Sequence, residues 1–139
     1  MGDIRERIRH GESLDKVITA DAAAALFRDG MKVATSGNPL MGYPKATFRA
    51  LSERIKNEGG VKIDLLCAGP LGSEVEDILA DVGGIRTRIG AIGGERLRAA
   101  INRGEVKFIE GKGGAAAAAG QEGLVWIRGH SRCRGDRAD

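Results

Sequence analysis

The sequence predicts an α/β domain: a mainly parallel sheet flanked by helices. Three observations carry that expectation. Short apolar runs alternate with helix-periodic segments in the order β-α-β-α-β-α-β between Met31 and Ile109, the pattern of parallel strands joined by crossover helices. Twice, an apolar run ends in a glycine-bounded loop that leads directly into a helical segment, at Ser36–Gly42 and at Ala68–Gly72. Finally, 139 residues with 42% hydrophobic and 29% charged side chains suit one globular domain with a real core. That core must rest on Ile, Leu, Val and Ala, because the chain holds only three Phe, one Tyr and one Trp.

Residues 3–18 read as a short charged helix or two, with Ile4, Ile8, Leu14, Val17 and Ile18 as apolar positions. Thr19 is suited to cap a helix from Ala20 to Arg28, with Asp21 in the first turn and Gly30 as the stop. Met31–Thr35 is the first strand. A helix opens at Pro44, whose missing N–H costs nothing in a first turn. Phe48, Leu51 and Ile55 give that helix one buried face.

Val61–Cys67 is the second strand, nearly continuous in apolar residues as expected when both faces are covered. A helix follows from about Ser73 to Val82, where Ser73 and Glu76 have capping-box spacing and Val75, Ile78, Leu79 and Val82 face inward. Ile85–Ile89 is a short strand. Glu95–Asn102 is a helix with Leu97 and Ile101 inward, and Val106–Ile109 is the last strand of the series.

The pattern then stops. From Gly111 the chain reads GKGGAAAAAGQEGLVWIRGHSRCRGDRAD, glycine- and arginine-rich with five consecutive alanines. This division gives residues 1–110 as the α/β domain and residues 111–139 as a tail, poorly ordered or packing only locally.

Charge and composition exclude several functions. Residues 1–110 carry 17 Lys/Arg against 16 Asp/Glu, so the patterned region is nearly neutral. It shows no clustered basic face with stacking aromatics, and no nucleic-acid partner is expected. No run of 18 apolar residues spans a membrane and no apolar signal segment opens the chain, so a cytoplasmic protein is expected. Cys67, closing an apolar strand, reads as a buried small hydrophobe, and two cysteines do not make a disulfide framework. His130 and Cys133 are too few to fill a tetrahedral metal site, so no metal is expected. Arg134-Gly135-Asp136 arises readily in an arginine-rich tail, and Glu74, Glu76 and Asp77 read as acids favoured by a helix dipole.

The candidate ligand loop is Ser36–Gly42 with the helix entry beyond it. Backbone N–H groups at the carboxyl end of a parallel strand commonly meet polar or anionic ligands, although many such turns only close the chain.

Four pieces resemble one family in order and spacing: TADAAAALFRDGMKVATSG, GYPKA, GPLGSEVEDILADVGGIRTRIG and LRAAINRGEVKFIE. With the looser match of RIRHGESLDKVI, about residues 7–110 are similar to the N-terminal half of the acetyl-CoA hydrolase/transferase family, which includes succinyl-CoA:acetate CoA-transferases. The resemblance implies an N-terminal domain of the CoA-transferase type, incomplete at its C-terminus. It also implies acyl-CoA and a small carboxylate as substrates, with coenzyme A entering as thioester and no resident cofactor.

In that family a Glu from the second half attacks the thioester, forming an acyl-glutamyl anhydride and then a glutamyl-CoA thioester. That nucleophile is expected outside this chain, which alone should be inactive. The substrate-binding residues that carry over are Ser36, Gly37, Gly42 and Lys45. They would face the cleft where acyl group and carboxylate meet, Lys45 attracting a carboxylate or phosphate unless it is simply solvated. Two departures stand out. Asn38 occupies a place where relatives carry an aromatic residue, and the tail replaces the family's next helix and strand, as a frame change near Lys112 would. The alternative is a non-catalytic binding module or split-enzyme subunit that pairs with a separate C-terminal half or forms a homodimer.

Overall fold

A computed structural model describes residues 17–35, 42–110 and the strand Leu124–Ile127. The elements run α1 (Ala20–Ala25), β1 (Lys32–Thr35), α2 (Lys45–Glu58), β2 (Ile63–Leu66), α3 (Glu76–Asp81), β3 (Ile85–Ile89), α4 (Glu95–Asn102), β4 (Lys107–Ile109) and β5 (Leu124–Ile127). The strands form one sheet in the order β4-β3-β2-β1-β5, every pair parallel. The expected α/β architecture is therefore present, with helices packed on a parallel sheet.

Parallel strands covered on both faces should bury consecutive residues, and they do. Val33, Ala34 and Thr35 of β1 are all buried, as are Leu65 and Leu66 of β2. Their register pairs Val33 with Leu65 and Ala34 with Leu66. Phe48, Leu51 and Ile55 form the inner face of α2, as their spacing predicts. The Phe27 and Phe48 rings meet tilted at 60° with centroids 6.0 Å apart, a geometry the ring quadrupoles favour.

Thr19 caps α1 as expected, its Oγ1 accepting the Ala22 N–H at 3.1 Å. The helix ends at Ala25 rather than Arg28. Its last turn tightens into i→i−3 bonds, Leu26 N–H to Ala23 O and Phe27 N–H to Ala24 O, and this drops Phe27 into the core. Arg54 of α2 then donates to Ala24 O at 2.8 Å and Phe27 O at 3.0 Å. The carbonyls at this helix end receive from a neighbouring element what α1 lacks in its own last turn.

Three further details differ from the sequence pattern. Pro44 lies just outside α2, at the cap position with ψ 67°, so the helix opens at Lys45. The Ser73–Glu76 capping box does not form. Val75 and Glu76 both donate to Gly72 O, residues 73–75 make a turn, and α3 starts only at Glu76. In the tail, the contiguous apolar Leu124–Ile127 forms β5 and pairs with β1 along its length, from Lys32–Leu124 to Thr35–Ile127. Lack of periodicity around a four-residue strand hid it, since a short continuous apolar run has no period to show.

Cys67 is buried within the hydrophobic core, and burial pushes its thiol above the ordinary value. In a Cys133→Ser background, Cys67 should resist a maleimide in native buffer and react promptly in denaturant; rapid native labelling would contradict its burial.

Candidate functional site

All strands being parallel, the loops after β1, β2 and β3 leave from one edge of the sheet, where α/β domains place their ligands. Two polar clusters organise that edge.

The deeper one is an ion pair with no exposure, Arg88 of β3 and Glu76 of α3. Arg88 Nε and Nη2 donate to Glu76 Oε1 at 3.1 and 3.0 Å. The three remaining guanidinium protons are shared among four backbone carbonyls: Cys67 at 3.1 Å, Gly69 at 3.0 Å, Ala91 at 2.5 Å, and Ile89. Glu76 Oε2 accepts the N–H groups of Gly93 and Gly94 at 2.6 and 2.7 Å, and Oε1 accepts Leu71 N–H. One buried pair thus ties the loop after β2 to the loop after β3. Asp77 adds to this by accepting the Leu97 N–H in the first turn of α4 at 3.0 Å. Glu76 and Asp77 therefore hold loops and a helix start rather than merely enjoying a dipole at α3.

Close backbone approach completes this frame. A Cβ on Gly90 would lie 1.8 Å from Cys67 O, and one on Gly94 would lie 2.2 Å from Asp77 Oδ1. The glycine-bounded Ala68–Gly72 loop meets the buried pair from both sides, Gly69 O accepting from Arg88 and Leu71 N–H donating to Glu76.

The second cluster lies nearer solvent, where the chain emerges from the first glycine loop. Gly42 takes φ +66°, a conformation that favours glycine. Tyr43 is buried, and its hydroxyl donates to Glu74 Oε2 at 2.6 Å. Lys45 Nζ pairs with the same oxygen and stands 4.8 Å from the centre of the Tyr43 ring. Arg49, one turn along α2, brings Nη2 to 4.0 Å from Glu74 Oε1. The bonds from Lys45 and then Tyr43 hold the Glu74 carboxyl below its usual range. In return, the bond to Glu74 and then that to Tyr43 raise Lys45. Burial, followed by the Glu74 bond, raises Tyr43.

Of the four residues expected to bind substrate, Gly42 and Lys45 stand together at this edge, while Ser36 and Gly37 lie outside the described residues, as does Asn38. Lys45 is half exposed and ion-paired with Glu74. Sequence reasoning missed Tyr43, Glu74 and Arg49 as its companions. The one available signal was the spacing of Lys45 and Arg49, four residues apart on a predicted helix and hence on one face. Among the described residues, no group of three or more His, Cys, Asp or Glu is placed to hold a metal ion, and no helix is long and apolar enough to cross a membrane.

Comparison with known proteins addresses the same region. The family model for the acetyl-CoA hydrolase/transferase N-terminal domain matches residues 1–119. The chain is 34% identical over 106 residues to a succinyl-CoA:acetate CoA-transferase of Clostridium kluyveri, covering 76% of this chain and 20% of that protein. It is 29% identical over 110 residues to an acetyl-CoA hydrolase of Candida glabrata, covering 77% and 21% respectively. The chain thus spans about a fifth of the length of the curated relatives it matches. Among solved structures, RipA from Yersinia pestis superposes with a TM-score of 0.63 at 15% identity, over 80% of this chain and 28% of that one. A variant of the decarboxylase AibA/AibB does so with 0.54 at 23%, over 69% and 38%. These two likenesses speak to the fold alone.

Proposed function

This chain belongs to the acetyl-CoA hydrolase/transferase family through that family's N-terminal domain, and on that premise we propose that it forms one wall of a site that cleaves acyl-CoA thioesters. The observation that carries this reading is the N-terminal-domain match over residues 1–119. The chemistry is hydrolysis, or transfer of CoA to acetate or another small carboxylate. A glutamate carboxylate attacks the thioester carbonyl, the C–S bond breaks, and CoA leaves as thiolate. The thiolate then attacks the glutamyl carbonyl of the mixed anhydride, releasing the acyl group as a free carboxylate.

That glutamate comes from a segment equivalent to the remainder of the relatives, in the same polypeptide or a separate one. The part assigned to this chain is positioning. Gly37 and Gly42 let backbone approach the acyl and acceptor groups closely, and Ser36 is assigned to the same cleft. Lys45, aided by the Tyr43 hydroxyl, offers positive charge where carboxylate charge is consumed and regenerated.

Two assays test this. The purified chain, given acetyl-CoA and succinate, should show no turnover; turnover at the rate of an intact family enzyme would refute the need for a second segment. A chimera of the Clostridium kluyveri transferase carrying residues 17–110 of this chain in place of its matching region should exchange CoA. A folded chimera without exchange would count against the proposal.

A further inference from the structure

The entry of α2 is electrostatically adverse as built. Its first turn holds no acidic residue and its cap position makes no side-chain bond. Lys45 and Arg49 stand four residues apart on one face, and like charges at that spacing repel. Both add to the positive potential at a helix N-terminus, where anions and not cations are favoured. Local rules broken together in this way mark a site where something else is gained.

One carboxylate answers all of it. Glu74 Oε2 receives the Tyr43 hydroxyl and Lys45 Nζ, and Oε1 faces Arg49 at 4.0 Å. A phenol, an ammonium and a guanidinium converging on a carboxylate make up the donor set that recognises an oxyanion. The carboxylate is not locked in place. Glu74 sits in the turn ahead of α3, and its side chain is 42% exposed. This contrasts with Glu76 two residues on, which has no exposure and is bonded through both oxygens.

We propose that Tyr43, Lys45 and Arg49 form an oxyanion-binding subsite that Glu74 fills from within the chain, so that a ligand carboxylate or phosphate enters by displacing the Glu74 side chain. Glu74 is then a built-in competitor that lowers affinity for the anion and offsets one of the two positive charges between ligands. Its position in the turn before α3 couples that turn to the start of α2: the anion that reaches Lys45 releases the link between them. The inference rests on placing substrate at this edge, but its test requires no catalysis.

Amide shifts of the full ¹⁵N-labelled chain, titrated separately with acetate and with inorganic phosphate, read the subsite directly. Removing one negative charge about 4 Å from the bound anion should tighten binding about five-fold even at the dielectric of water. Glu74→Gln should therefore bind at least one of the two anions about that much more tightly than the parent chain, with shifts at Tyr43, Lys45 and Arg49. Glu74→Ala should do the same, and Glu74→Gln combined with Lys45→Ala should lose the gain. A gain for acetate alone assigns a carboxylate ligand, and a gain for phosphate alone a phosphoryl group such as that of a nucleotide. Equal or weaker binding of both anions by both folded single variants would overturn the inference and leave the family reading intact. Conversely, an inactive chimera would count against that reading without touching this result.

Discussion

Arg88→Ala should destabilise the domain by about 3–5 kcal/mol, the range for breaking a fully buried ion pair by removing one partner. Total stability in domains of this kind is about 5–15 kcal/mol, so the variant would sit near the edge of folding. The cost has two sources. The Glu76 carboxylate stays in a place without exposure after losing both guanidinium bonds. The carbonyls of Cys67, Gly69 and Ala91 lose their Arg88 bonds together, while Ile89 O keeps the Cys67 N–H. Urea titration followed by circular dichroism measures the loss. A change below about 1 kcal/mol, the size of an exposed pair, would show that the Arg88–Glu76 pair does not hold the loops. Pairing Arg88→Met with Glu76→Leu should recover only part of the loss. Glu76 also accepts the N–H groups of Leu71, Gly93 and Gly94, and leucine leaves those donors unsatisfied.

Gly90→Ala should damage this fold severely. The new Cβ would stand 1.8 Å from the Cys67 carbonyl oxygen, and Gly90 has φ +112°. Neither the contact nor the dihedral can relax alone. Gly90 N–H is bonded to Ile109 O at 3.0 Å and Cys67 N–H to Ile89 O at 3.1 Å, so β2, β3 and β4 are stitched together around the clash. A loss of about 3 kcal/mol or more is expected, combining backbone strain with overpacking. Gly60→Ala is the control. It also has positive φ, +79°, but nothing lies within 4 Å of its new Cβ, so only the left-handed backbone cost of about 1–2 kcal/mol applies. Equal losses for the two variants would show that the close approach of residues 67 and 90 is not real.

What the sequence disclosed and what it withheld follow from range. Ile85–Ile89 and Glu95–Asn102 were legible to the residue because their signals are local: glycines on either side, and Leu97 in phase with the helix. The buried face of α2 was legible for the same reason. The clusters at the carboxyl edge were not, because each joins residues distant in the chain. Arg86 and Arg88 look equivalent in IRTRI, two residues apart and hence on one side of an ideal strand. A register shift in the β2–β3 pairing breaks that equivalence, with Ile63 opposite Ile85 but Asp64 opposite Thr87. Arg86 then reaches Asp64 near solvent, at 2.7 and 2.9 Å, while Arg88 turns under the loops. Glu76 failed as a capping residue for a related reason. Its N–H is taken by Gly72, and its carboxylate has a stronger partner waiting in β3. Glu74 was read as a helix-dipole acid because nothing near it in sequence announces Tyr43 and Lys45.

The central claim is that the edge carrying Tyr43, Lys45 and Glu74 faces the substrates of a CoA-transferase. It is tested most directly by the kinetics of the chimera with Lys45→Ala. Loss of a hydrogen bond to a charged group predicts a rise of about ten-fold or more in KM for the acceptor carboxylate, with the melting temperature held because Lys45 is half exposed. A chimera whose acceptor KM and kcat both stay unchanged when Lys45 is removed would contradict the claim.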